Sequence, residues 1–167
     1  MIHDSDPFAT PESARSQVRR LRGRFAQTVT LWTAPGPAGL TVSSCLVADG
    51  EPGKLLGLID DESTLWTSLK SAGVFAVTPL TYGQQQLADR FAGLLPAPGG
   101  LFRQGEPWAE TAFGPVLGET WAGCRLDSAR EFGWGLLIEA TIAEITLGPT
   151  ASPLLHHRGS YAQLHDR

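Results

Sequence analysis

The chain reads GLTVSSCLVADGEPGKLLGLIDDESTLW from Gly39 to Trp66, and this stretch holds the densest run of groups able to do chemistry. Thr41, Ser43 and Ser44 place hydroxyls in a strand-like segment, with Val42 between them and the thiol of Cys45 next in line. Hydroxyls in a strand are costly to bury without partners, so they either face water or hold something polar. Alternation sends Thr41 and Ser43 to one face and Ser44 to the other, unless a bulge intervenes. A phosphate or polyhydroxyl chain lying along the strand end would take bonds from these hydroxyls and from exposed backbone N–H groups, a nest that needs no lysine. A helix starting near Ser63 adds unpaired N–H groups and a positive dipole end, with Thr64 in its first turn. Asp60 stands ready to accept from a sugar hydroxyl or a ring N–H. The alternative is an amphipathic strand with a solvent face, followed by a helix that Asp60, Asp61 or Ser63 merely caps. The pattern leaves both open.

Other chemistries find no support. The chain has no G-x-G-x-x-G and no G-x-x-x-x-G-K-[ST], which removes the usual glycine-loop nucleotide sites. It has no H-E-x-x-H and no C-x-x-C, and His156 and His157 are adjacent, so on a strand they point to opposite faces. No metal site is expected. No G-x-S-x-G elbow surrounds Ser43 or Ser44, and no side chain is assigned a catalytic role. Cys45 and Cys124 are too few for a disulfide framework and fit buried free thiols in a reducing compartment. The opening residues are polar and no apolar run reaches membrane length, so a cytoplasmic protein with no membrane partner is expected. The run RSQVRRLRGR, residues 15–24, is strongly basic in a chain of net charge −4. It reads as a solvated helix face, and no nucleic-acid partner is expected.

The elements that must position these groups follow from periodicity. Residues 1–14 read as a flexible terminus and 15–167 as one domain, large enough for a real core. A short helix is expected from Pro11 to about Leu21. A half-buried strand spans Thr28 to Trp32, and a second runs from about Leu40 to Val47. A third covers residues 54–60, and a helix from Ser63 to Ser71 stops at Gly73. The apolar run 74–80 suggests a strand buried on both faces. Thr81 and Gln84 form a capping box for a helix to Ala92, with Gly93 as its stop and Phe91 packing it on the sheet. Residues 94–108 make a long loop. Late strands run from Glu119 to Leu126 and from Trp134 to Thr146. Trp134 either stacks on a planar ligand or joins the core. Hairpin-like pairing without strict strand–helix alternation predicts a mainly β antiparallel barrel with two or three flanking helices.

The order of these blocks resembles the flavin reductase-like, FMN-binding split-barrel family. FAQTVTLWTA resembles its first strand, and GLTVSSCLVADGEP its G-x-T-x-S-S block. LLGLIDDESTLWTSLKSAGVFAVTPL resembles its strand, phosphate-side turn, helix and strand. QQQLADRFAG resembles its Q-x-x-L-A-x-x-F-A helix, and PLLHHRGSYAQL its closing segment. The resemblance covers roughly Arg15 to Leu164. It implies a six-stranded Greek-key split barrel, a homodimer, FMN or FAD near the dimer interface, and flavin reduction by NADH or NADPH. It also implies reduced flavin handed to a separate monooxygenase. Carried over, Thr41, Val42, Ser43, Ser44 and Cys45 line the ring and ribityl side, and Asp60, Ser63 and Thr64 lie toward the ribityl and phosphate. Cys45 is either a neighbour of the ring edge or a packed thiol. Trp134 stands where many of these reductases carry the His of Gly-Asp-His, on the nicotinamide side. A split-barrel flavoprotein with another substrate or electron donor, or a non-catalytic flavin carrier, stays open beside the reductase.

Overall fold

The computed structural model describes residues 16–165. The expected flexible segment 1–14 and the expected helix start at Pro11 lie outside the described residues. Among the described residues the chain forms three helices and twelve strands: α1 (Gln17–Gly23), β1 (Gln27–Thr28), β2 (Thr30–Ala34), β3 (Ala38–Val42), β4 (Cys45–Ala48), β5 (Lys54–Ile59), α2 (Thr64–Ala72), β6 (Val74–Pro79), α3 (Gln85–Phe91), β7 (Ala109–Thr111), β8 (Gly114–Val116), β9 (Trp121–Phe132), β10 (Gly135–Thr146), β11 (Leu154–His157) and β12 (Ser160–Gln163). No helix among them is long and apolar enough to cross a membrane.

The main sheet runs β3-β2-β6-β9-β10-β5-β4, and each of its ladders is antiparallel. Its two outermost strands, β3 and β4, are consecutive in the chain with only Ser43 and Ser44 between them. A two-residue link spans only a few ångströms, so the two edges of the sheet must meet there. The sheet therefore closes into a barrel. The N–H of Leu58 donates to the Ser44 carbonyl at 3.1 Å, which pins the junction to β5. The strand expected from Leu40 to Val47 is thus one interrupted strand that supplies both edges. Counted once, it gives the six-stranded antiparallel barrel.

One core fills the barrel. Trp32 stacks on Phe75 with ring centroids 4.8 Å apart, among Val42, Leu55, Ile59 and Ile138. Leu65 and Leu69, four residues apart on α2, join this cluster. A second core lies outside the barrel wall, where Val29, Leu31, Leu80, Ala88, Phe91 and Leu154 pack together. Because β2 lies between the two cores, all its residues are buried, and it is not the half-exposed strand that its polar–apolar alternation suggests. Its polar side chains find partners inside. Thr30 Oγ1 donates to the Val42 carbonyl at 2.6 Å and accepts from Trp32 Nε1 at 3.1 Å, and Thr33 Oγ1 donates to the Pro115 carbonyl at 2.6 Å.

The signals for the second helix match the structure, and the start of the third does not. Ser63 caps α2 by accepting from the Trp66 N–H at 3.1 Å, and Gly73 ends it in the left-handed conformation at φ 72°. The helix expected from Thr81 begins instead at Gln85, with Gln84 as its N-cap and no side-chain cap bond, because Thr81 bridges to Pro153; Gln84 Oε1 accepts from both the N–H and the hydroxyl of Thr81, so the pair fixes the turn before α3 and does not form its capping box. The loop after α3 is held down. Arg90 grips Glu106 through two bonds of 2.7 and 2.9 Å, and Phe102 and Trp108 pack edge-on against Phe91. Strand β9 continues past Leu126 to Phe132 because it pairs with β10 along nearly its whole length. The short pairs β7–β8 and β11–β12 carry no clear alternation and were not expected as strands.

Gly57 faces the barrel interior directly beneath the Trp32 ring, and a Cβ there would overlap Trp32 Cη2 and Cζ2. The Trp32 ring is fully buried and has no room to move aside. Gly57→Ala is expected to cost about 1–3 kcal/mol of stability through overpacking. Chemical denaturation would read this as a lowered midpoint, and an unchanged midpoint would refute the steric role.

Candidate functional site

The barrel junction opens onto a groove of about 480 Å³. Its floor is apolar and belongs to the outer face of three neighbouring strands. Leu46 of β4 lies opposite Leu56 of β5, and Leu58 of β5 lies opposite Leu137 of β10. The segment from α1 to β1 supplies the facing wall, with Arg22, Phe25, Gln27 and Thr28. Ser43, Ser44 and Cys45 form the rim between them.

The break in the strand explains why hydroxyls sit on this rim. Val42 and Cys45 both pack toward the barrel core although they are three residues apart. Strict alternation would put them on opposite faces, so one residue is inserted, and Ser43 and Ser44 leave the ladder. Among the described residues neither serine hydroxyl makes a hydrogen bond, whereas the hydroxyls of Thr30, Thr33 and Thr41 each do. The groove therefore offers two uncommitted hydroxyls above a leucine floor.

The structure separates the residues that the sequence grouped. Thr41 donates to the Ala88 carbonyl at 2.6 Å and fastens β3 to α3. Val42 is buried in the barrel core at 2 % exposure. Asp60 and Ser63 shape the turn into α2: Asp60 Oδ1 accepts from the Glu62 N–H at 2.9 Å, and Ser63 Oγ donates to the Asp60 carbonyl at 2.7 Å while capping the helix. Thr64 is exposed in the first helical turn. None of these five lines the groove. Trp134 sits at the tip of the β9–β10 hairpin, 91 % exposed, and is neither a groove residue nor a core residue. Sequence reasoning missed Arg22, Gln27, Thr28 and the leucine floor. The floor had a signal. Leu55, Gly57 and Ile59 face inward, so Leu56 and Leu58 put leucines on the strand face that alternation assigns to water.

Burial pushes the Cys45 thiol up to about 11, against the opposing pull of its bonds to Trp32 and Thr30. Burial, with the neighbouring Cys45, pushes Cys124 up to about 12. Both are neutral at physiological pH, and Arg22 is then the one groove-lining side chain that carries charge among the described residues. Burial draws its pKa down from the ordinary arginine value. Among the described residues the site holds no acid–base pair and no activated nucleophile. It suits a flat, amphipathic ligand that brings its own reactivity.

A thiol with a raised pKa is reactive only where it ionises. Alkylation of Cys45 by iodoacetamide is expected to stay slow through pH 8 and to rise steeply only above about pH 10. Rapid modification at pH 7 would contradict the half-buried, neutral thiol.

Residues 22–165 match the family described as flavin reductase like domain. The chain is 28 % identical to the reductase component of FADH(2)-dependent resorcinol hydroxylase from Rhizobium sp. (strain MTP-10005), over 90 % of this chain and 88 % of that protein. It is 29 % identical to the NADH-dependent FMN reductase AsuE2 of Streptomyces nodosus subsp. asukaensis, over 98 % and 91 % of the two chains. Among solved structures, the NADH:FAD oxidoreductase SgcE6 of Streptomyces globisporus C-1027 superposes with a TM-score of 0.81 at 22 % identity, covering 95 % of this chain and 98 % of that one. The closed barrel and the extent of the family match lead to one assignment: this chain belongs to the flavin reductase like domain family.

Proposed function

We propose that this protein is a flavin reductase that seats FMN or FAD in the groove at the barrel junction and reduces it with NADH or NADPH. The observation that carries this is the pair of uncommitted hydroxyls, Ser43 and Ser44, over a floor of leucines in a chain of this family. The leucines give an apolar ring a surface from which water is excluded. The serine hydroxyls and the N–H groups released at the junction supply donors toward its polar edge. Cys45, neutral at the rim, packs beside the ring without ionising. Thr41, Val42, Asp60, Ser63 and Thr64 act one step back, holding the strand ends and the turn that set the rim in place. Bound there, flavin supplies the hydride-accepting chemistry, so the protein needs to contribute position and electrostatics only.

The relatives named as reductase components favour a second step outside this chain, in which reduced flavin passes to a separate monooxygenase. Residues 15–167 form the single domain that does this work, in the cytoplasm, where Cys45 and Cys124 stay reduced. The working unit is a homodimer. Leu46 and Val47 on β4 are 59 % and 62 % exposed beside the groove, and Trp134 projects from the hairpin tip. Apolar surface of this kind is expected to be covered by a second copy.

Flavin loaded onto the purified protein without oxygen is expected to bleach on adding NADH or NADPH, followed at the flavin absorption band. Failure of both donors to bleach a loaded sample would leave a flavin carrier or an enzyme with another donor. Sedimentation velocity is expected to give twice the chain mass, and a monomer at micromolar concentration would exclude the dimer.

A further inference from the structure

We propose that Asp89 and Tyr161 are positioning residues that set the width of the groove, on the reading that flavin sits there. Their hydrogen bond ties the wall that carries Gln27 to the strand that leads into the serine rim.

The two sides of the groove belong to different sheets. The leucine floor and the strands flanking the rim are parts of the barrel sheet, whereas β1 is an edge strand of the small sheet β1-β11-β12. One rung crosses that small sheet: Gln27 lies opposite His156, and His156 lies opposite Tyr161. At the end of the rung, Tyr161 Oη donates to Asp89 Oδ1 of α3 at 2.5 Å, a length that fits a hydroxyl bonded to a carboxylate. The next link is one residue away. The Ala88 carbonyl accepts from Thr41 at 2.6 Å, and Thr41 stands on β3 two positions before Ser43. Wall and rim are therefore joined through two adjacent residues of α3.

The helix that joins them is seated firmly. Ala88 and Phe91 are buried in the second core, and Arg90 grips Glu106. The start of β11 is also fixed, since the Val29 N–H donates to the Leu154 carbonyl and the Leu154 N–H to the Leu80 carbonyl. The far end of the hairpin carries the groove wall. It holds Gln27 through the ladder and Gly23 through the Arg158 N–H at 2.9 Å. Tyr161 braces this far end against α3. Burial, with the neighbouring Asp89, pushes the Tyr161 pKa up, so the phenol keeps the proton it donates. Its ring packs on the second core and meets His156 edge-on, so removing the hydroxyl alone leaves that packing in place. A groove whose two sides are already held avoids the ordering cost that a loose wall adds to ligand binding.

Two measurements on the full chain test this: amide hydrogen exchange without ligand, and dissociation constants for FMN and FAD by flavin fluorescence. Wild type is compared with Tyr161→Phe, Asp89→Ala and Asp89→Asn. Tyr161→Phe and Asp89→Ala are expected to speed exchange in residues 22–28 and in β11 and β12, and to leave β5 and β9 at wild-type rates. Both are expected to weaken the flavin roughly two- to thirtyfold, as for residues that act through others. Asp89→Asn keeps an acceptor for the phenol and is expected to keep wild-type exchange and affinity. Unchanged exchange in residues 22–28, or unchanged flavin affinity despite faster exchange there, would overturn the positioning role while the flavin site stands. So would faster exchange across the whole barrel, which marks a general loss of stability. A wild type that binds neither flavin would remove the groove as a flavin site, and the positioning role with it.

Discussion

Closure of the barrel is the constraint on which the rest of the molecule depends. One strand has to serve as both edges of the sheet, so β3 and β4 must meet across Ser43 and Ser44. Edges that stay open invite pairing with other chains, and closure removes that hazard. It cannot be done without a break in the ladder. The break inserts a residue, turns both Val42 and Cys45 toward the core, and leaves two serines with hydroxyls that none of the described residues uses. The break in the ladder is thereby also the place where two uncommitted hydroxyls sit side by side.

The interior is arranged to permit that closure. Trp32 fills the barrel and lies against β5, and only a glycine at position 57 lets the backbone come so near the ring. Outside the wall, Gly39 does the same for Phe91: a Cβ there would come within 2.6 Å of the Phe91 ring. Phe91 in turn holds Phe102 and Trp108, and Arg90 clasps Glu106. The two cores share β2, and its buried threonines tie neighbouring segments together through their hydroxyls. Each such bond adds on the order of 1 kcal/mol, and leaving the hydroxyl unpartnered in the core would cost more. Packing and polar satisfaction thus work on the same strand.

Function follows from what the groove lacks as much as from what it offers. Among the described residues its thiol is neutral, its hydroxyls are unactivated, and a single guanidinium carries the charge. Such a surface holds and orients a ligand but does not attack it. In the proposed reading redox chemistry on this scaffold belongs to flavin, and the protein sets affinity, orientation and access.

Much of this was legible in the sequence. Local signals are short-range, so the cap at Ser63, the stop at Gly73 and the strand Val74–Pro79, buried over residues 75–78, could be read directly. The order of blocks along the chain carried the barrel and the family, because closed antiparallel barrels constrain strand order and spacing. The site was legible only as a segment. Whether Thr41 or Ser43 meets a ligand depends on a one-residue insertion and on the nearness of Ala88, forty-seven positions away, and neither has a local signature. Arg22 belongs to the groove only because the segment from α1 to β1 borders the same space as β4 and β5, and Trp134 became an exposed tip because β9 runs six residues beyond where its apolar pattern fades. Sequence alone determined most of the barrel strands, the second helix and the fold class, since those answer to neighbours a few residues apart. Tertiary structure decided which hydroxyls remain uncommitted and which charge faces them, since that is settled by contacts between segments that only closure of the barrel brings together.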